Sequence, residues 1–257
     1  MGGVSQPQPA AHSSAPSETP ALDLREKGGA KDGVPQFSDR RLFMQLSAFS
    51  GCRDAHQLLG ALGGSGADCV LYEELGDPTG VAVLAMSEDP GALISGLRRG
   101  LSSGPFAGLT LKPEFSMLGR TYALGYEPKL EDWLLHRPRR VVSDPAQPWA
   151  IWYPLRRTGA FSRLPRAEQM QVLKEHGTIG RQFGDAGVAA DVRLACHGLD
   201  KNDNDFVIGL IGKELHPLSA LVETMRPTVQ TSQYIQNLGP FFVGRAIGST
   251  MQKEAGK

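Results

Sequence analysis

Neither sign of charge is in excess in this chain, and no apolar run approaches the length of a membrane span. Lys plus Arg and Asp plus Glu both come to 27, so there is no global electrostatic attraction toward nucleic acid or an acidic bilayer. Neither partner is expected. Cysteine is scarce: Cys52, Cys69 and Cys196 are far apart, odd in number and without a C-x-x-C pair. That argues against a disulfide framework and a cysteine zinc site, and for free thiols in a reducing cytoplasm. There is no phosphate-cradling glycine loop, no H-E-x-x-H helix and no G-x-S-x-G elbow. Asp200, Asp203 and Asp205 lack the Gly and distal Glu of an EF-hand and read as a polar hairpin turn. Residues 1–36 have few large apolar side chains and are expected to be a disordered tail, since they bury too little surface to offset chain entropy. The tail lacks the basic start and apolar core of a secretory signal, and has no Arg or Lys before Arg25, so it reads as a poor transit peptide.

From Leu42 the pattern becomes regular. Leu42, Met44, Leu46 and Ala48 alternate as a strand, and Ala55, Leu58, Leu59 and Leu62 have helical spacing. Cys69–Tyr72 and Val81–Met86 read as strands around Gly76-Asp77-Pro78-Thr79-Gly80. Asp89-Pro90 opens a second helix, and a strand follows between Leu109 and Tyr126. The second half repeats the order: strand Trp149–Leu155, helix Pro165–Gly180, strands Val192–Cys196 and Phe206–Ile211, helix Pro217–Met225, and a closing strand at Phe241-Phe242-Val243. Two β-α-β-β-α-β units predict an α+β fold of two ferredoxin-like halves, 37–126 and 149–247, with 127–148 as connector and 248–257 as a second tail.

The helix Pro165–Gly180 carries the chemical signal. Gln169, Val172, Leu173, His176 and Ile179 share one stripe, so His176 projects from a largely apolar face. A neutral imidazole there either ligates a metal or bridges buried polar groups, and spacing alone does not choose. Basic residues cluster near aromatics: His136-Arg137-Pro138-Arg139-Arg140, then Trp149, Trp152, Tyr153, Arg156 and Arg157, with Arg181 beyond His176. This suits a solvated basic surface, stacked RNA bases, or a flat apolar ligand with carboxylates on its rim. An iron porphyrin has the last of these shapes.

Taken in order, WYPLRR (Trp152–Arg157), LPRAEQ (Leu164–Gln169), EHGTIGRQF (Glu175–Phe183), GLDKNDNDF (Gly198–Phe206) and the closing TSQY…GPFFVGR resemble the chlorite dismutase family, most closely its coproheme decarboxylase branch. The resemblance implies two ferredoxin-like halves in a dimeric α/β-barrel arrangement and a homopentameric ring. It implies iron coproporphyrin III (coproheme) as porphyrin substrate, haem b as product and hydrogen peroxide as oxidant. His176 matches the proximal iron ligand. Tyr153 matches the tyrosine whose radical takes hydrogen from a propionate. Arg139, Arg157, Arg181 and Ser232 (or Thr231) match propionate-binding positions, Arg157 replacing a lysine, and Leu155 replaces a common Met. On the distal side decarboxylases of this kind carry Gln and chlorite dismutases Arg. Counting from His176 gives Ala189, and counting back from Gly198 gives Asp191. Arg193, on the same strand face as Asp191, is taken as the candidate distal residue. Chlorite decomposition and a carrier without turnover are the alternatives within this resemblance.

Overall fold

The fold was obtained as a computed structural model, which describes residues 21–251. The N-terminal half runs β3 (Phe43–Ser50), α1 (Ala55–Leu62), β4 (Asp68–Glu74), β5 (Val81–Ser87), α2 and β6 (Thr110–Thr121). Here α2 is the continuous helical path Pro90–Ala92, Leu93–Leu97 and Arg98–Leu101. Asp54 and Asp89 cap α1 and α2 by accepting from His56 N and Gly91 N, satisfying backbone donors that the helices leave open. The C-terminal half runs β7 (Trp149–Arg157), α4 (Gly159–Arg163), α5 (Arg166–Asp185), β8 (Ala190–Ala195), β9 (Phe206–Gly212), α6 (Leu215–Met225), α7 (Val229–Tyr234), β10 (Ile235–Leu238) and β11 (Phe242–Ser249). The expected α+β duplication is present.

All strand pairs are antiparallel, ordered β6-β3-β5-β4 in the first half and β8-β9-β7-β11 in the second. The halves join at both edges, through β6–β8 and β11–β4, so eight strands close into a barrel. Closure leaves neither half with a long open edge. β10 continues the β11 edge of β7 beyond the Gly239-Pro240 break.

Alternation along each strand divides the apolar residues into three cores. Met44, Leu46, Tyr72, Leu84, Trp152, Leu194 and Phe242 fill the barrel. Gly209 is required there, because a Cβ on it would sit 2.5 Å from the Trp152 ring. The outward face of the first half is covered by α1 and α2, and that of the second by α5 and α6.

One expectation changes. The disordered tail was placed over residues 1–36, but Glu26–Lys31 (β1) and Val34–Ser38 (β2) pair as a hairpin. It buries little apolar surface and is held by polar groups. Gln36 Nε2 donates to the carbonyls of Gly29, Glu127 and Pro128, and Gly29 N donates to Glu127 O at 2.9 Å. The rest of that tail, residues 1–20, and residues 252–257 of the second lie outside the described residues. The connector holds a helix, α3 (Asp132–His136 continuing into Arg137–Ser143), whose Leu134, Leu135 and Val142 enter the barrel core.

Candidate functional site

The outward face of the second half presents Ile151, Tyr153 and Leu155 from β7 and Ile208 and Leu210 from β9. Arg193 pairs with Ile208 and Asp191 with Leu210, which puts both on this face. α5 crosses above. Its predicted stripe of Gln169, Val172, Leu173, His176 and Ile179, extended by Phe183, is half-buried, and no α5 residue is fully buried. In the other half α1 buries Leu58 and Leu62 almost completely. The α5 stripe is therefore less completely buried against its sheet than α1 is against its own.

His176 enters that layer. Its Nδ1 is buried without a hydrogen-bond partner. Burial, and then the Arg157 and Arg193 guanidiniums, lower its pKa to about 4, so the imidazole is neutral and available as a ligand at physiological pH. Arg157 lies between Phe161 and Phe206, its guanidinium carbon 4.8 and 4.7 Å from their ring centres. Its Nε is buried and unpartnered, and burial lowers its pKa. Among the described residues no salt bridge reaches it, so this desolvated cation is open to a carboxylate brought by a ligand. Tyr153 is 6% exposed and packs on Phe241 with ring centres 4.7 Å apart. Burial, and to a lesser degree the Asp191 carboxylate, push its pKa above the usual phenol value, so the phenol keeps its proton.

Beside these residues stands a group built around Trp133 of α3. The Arg137 and Arg193 guanidinium carbons sit 4.8 and 5.2 Å from its ring centre. Both cations bind Asp191, Arg193 Nε at 2.8 Å from Oδ2 and Arg137 Nη2 at 3.2 Å from Oδ1. Arg137 Nη1 also donates to the Asp191 carbonyl at 2.7 Å. The indole N–H donates to Tyr122 O at 3.0 Å, which fixes the ring. Tyr122 packs against Phe206, and its phenol feels Arg193, Arg157 and Asp191.

The structure thus brings His176, Tyr153, Arg157 and Arg193 to one layer. Ser232 is on α7, which is tied to the histidine's helix because Glu175 accepts from Val229 N at 2.9 Å; the Ser232 hydroxyl donates to Thr228 O. Arg181 is exposed on α5, off the stripe. Arg139 is not brought in: its guanidinium donates to Asp68 of β4 and to Leu135 O. Asp191, which the count back from Gly198 reaches, lies on the same face as Arg193 and binds it. Trp133, Tyr122 and Glu175 have no assigned role in the sequence reading and Arg137 enters it only within the basic run, although the four-residue spacing of Trp133 and Arg137 would put them on one helix face.

Among the described residues no group of three His, Cys, Asp or Glu side chains is arranged to hold a metal ion. An iron porphyrin fits the residues present: an orphaned neutral imidazole, apolar side chains on sheet and helix, and a buried cation at the edge. No described helix is long and apolar enough to cross a membrane.

The chlorite dismutase family pattern matches residues 81–247. Among solved structures, the chlorite dismutase of Candidatus Nitrospira defluvii in complex with imidazole superposes with a TM-score of 0.63 at 13% identity, covering 81% of this chain and 92% of that one. A heme-binding protein from Thermus thermophilus gives 0.62 at 19% identity, covering 80% and 91%. At these identities the structural likeness is one of fold. No curated protein sequence matches the chain.

Proposed function

Because this chain belongs to the chlorite dismutase family, we propose that it binds iron coproporphyrin III between α5 and the C-terminal sheet and decarboxylates it oxidatively to haem b, with hydrogen peroxide as oxidant. The observation that carries the reading is the neutral, unpartnered His176 imidazole in one layer with a protonated Tyr153 and the unpaired Arg157.

The bound iron porphyrin would supply the one-electron oxidising chemistry. His176 would hold its iron through the unpartnered imidazole. Arg157 takes a propionate carboxylate as a charge-assisted pair in a desolvated setting. Arg181 and Ser232 are assigned to rim carboxylates, Ser232 by turning its hydroxyl from Thr228 O, and Arg139 would have to release Asp68 to take part. Tyr153, protonated at rest, gives up a hydrogen atom and then takes one from the β-carbon of the propionate. Loss of carbon dioxide then leaves a vinyl group, the second electron being taken up by the peroxide-derived oxidising chemistry that the bound porphyrin would supply. Each turn consumes one propionate, one peroxide and one proton, and yields a vinyl group, carbon dioxide and two waters. Assembly into a ring of five belongs to the same proposal and is checked by sedimentation.

One observation favours chlorite decomposition as a second reading: Arg193 places a cation in the same layer as His176, as holding a small anion near iron requires. The test is to load the protein with ferric coproheme, titrate peroxide and follow products by mass. Haem b formed through a mono-vinyl species supports the decarboxylase. Oxygen released from chlorite by the haem-loaded protein supports the second reading, and neither product supports a carrier. Tyr153→Phe is expected to bind coproheme nearly as the parent does and to release no carbon dioxide. Normal haem b yield from that variant would rule the mechanism out.

A further inference from the structure

Two guanidiniums, from Arg157 and Arg193, act on His176 from one half-buried layer, a third, from Arg137, stands beside it, and the three are not equivalent. Arg157 has no carboxylate bonded to its guanidinium. Arg137 and Arg193 converge on the single carboxylate of Asp191 and stack on the same Trp133 ring. Trp133 and Arg137 come from the connector helix and Asp191 and Arg193 from β8, so the group also closes the seam between connector and sheet. A carboxylate already on a guanidinium fork competes with any anion that approaches the same nitrogens. A small monovalent anion has one charge to offer and gains little by displacing it. A ligand bound through other contacts, with its acid groups held in place, has Arg157 available without displacing anything.

From this we propose that Asp191 is a specificity-determining residue: it occupies Arg193 and Arg137 as an internal carboxylate, disfavours small anions beside His176, and leaves Arg157 to ligands that bring their own carboxylates. The proposal deepens the haem-site reading and rests on it for its meaning, but the charge balance it describes is testable without haem.

Two measurements address it. In the ligand-free protein, Trp133 reports the local anion concentration through quenching by iodide, with acrylamide as the neutral control for access and Trp133→Phe as the control for Trp149 and Trp152. Asp191→Asn, which keeps the side chain's shape, is expected to raise the iodide quenching constant about two- to threefold at low salt, an effect that added salt reduces. Acrylamide quenching should stay unchanged, and Asp191→Asn/Arg193→Gln should return to the parent value. In the haem-loaded protein, Asp191→Asn is expected to bind azide about tenfold more tightly by Soret titration, as removal of one neutralising charge near a half-exposed cation implies. Unchanged iodide quenching, or a rise with both quenchers together, would overturn the proposal. Failure of either protein to load haem would sink the functional reading instead, while the iodide comparison would still decide this one.

Discussion

His176 combines a half-buried position with two guanidiniums acting on its ring, and the fold bears the consequence in acid. Its pKa of about 4 lies below the ordinary 6.5, so between those values the folded chain binds fewer protons than the unfolded one. Stability of the ligand-free protein should therefore be fully present above pH 6.5 and be lost progressively as pH falls toward 4. Urea midpoints at pH 4.5 and 6.5 measure this slope, and His176→Phe, which cannot titrate, should flatten it. Equal slopes in the two proteins would mean that the imidazole is better solvated than its surroundings indicate. The sequence could place His176 on an apolar stripe because that property is local. It could not show that Arg157 would be unpaired, or that Asp191 would hold Arg193. Those depend on which strand faces which helix, and on how the connector helix docks beside β8, which its own spacing does not specify.

Among the elements, α5 and the N-terminal hairpin show opposite failures of local reading. The helix was expected to end near Gly180 but runs to Asp185. Glycine ends a helix chiefly when it takes positive φ just past the last turn. Gly187 does so at +69°, with Val188 N donating to Phe183 O and Gly187 N to Gly184 O, a Schellman ending. The hairpin had a strong local mark, Asp32-Gly33, with φ of +53° and +80° as a two-residue turn requires. Its flanks lacked the alternation of a buried strand, because polar contacts dock it. Gln36 Oε1 accepts from Leu130 N, while its amide serves three carbonyls. Gln36→Leu should destabilise the hairpin by about 1–3 kcal/mol through unsatisfied backbone groups. Amide exchange at Gly29, bonded to Glu127 O, should then accelerate while exchange in the barrel strands stays slow. Protection at Gly29 equal to the parent's would show that Gln36 is not the fastening.

The molecule as a whole depends on closure. The β6–β8 seam rests on two residue pairs, Arg120 with Ala195 and Thr121 with Leu194, whereas the β11–β4 seam has five. Backbone pairing alone would leave the first seam weak, so the interior core has to carry the coupling. Leu46 and Leu84 from one half meet Trp152 and Leu194 from the other in a single buried cluster, with Leu134 and Leu135 of the connector among them. A duplication that could have made two independent units is thereby expected to unfold as one. Leu84→Ala, deep in the first half, should cost about 2–5 kcal/mol by loss of buried methyl groups and the cavity left behind. All three tryptophans, Trp133, Trp149 and Trp152, belong to the connector and the second half. Their fluorescence can report this distant change only through the shared core. The expected result is one transition, with the tryptophan signal and far-ultraviolet dichroism shifting together to lower temperature. Dichroism that falls while the tryptophan midpoint stays fixed would show that the halves stand separately. The site on the second half would then owe its geometry to that half and the connector alone.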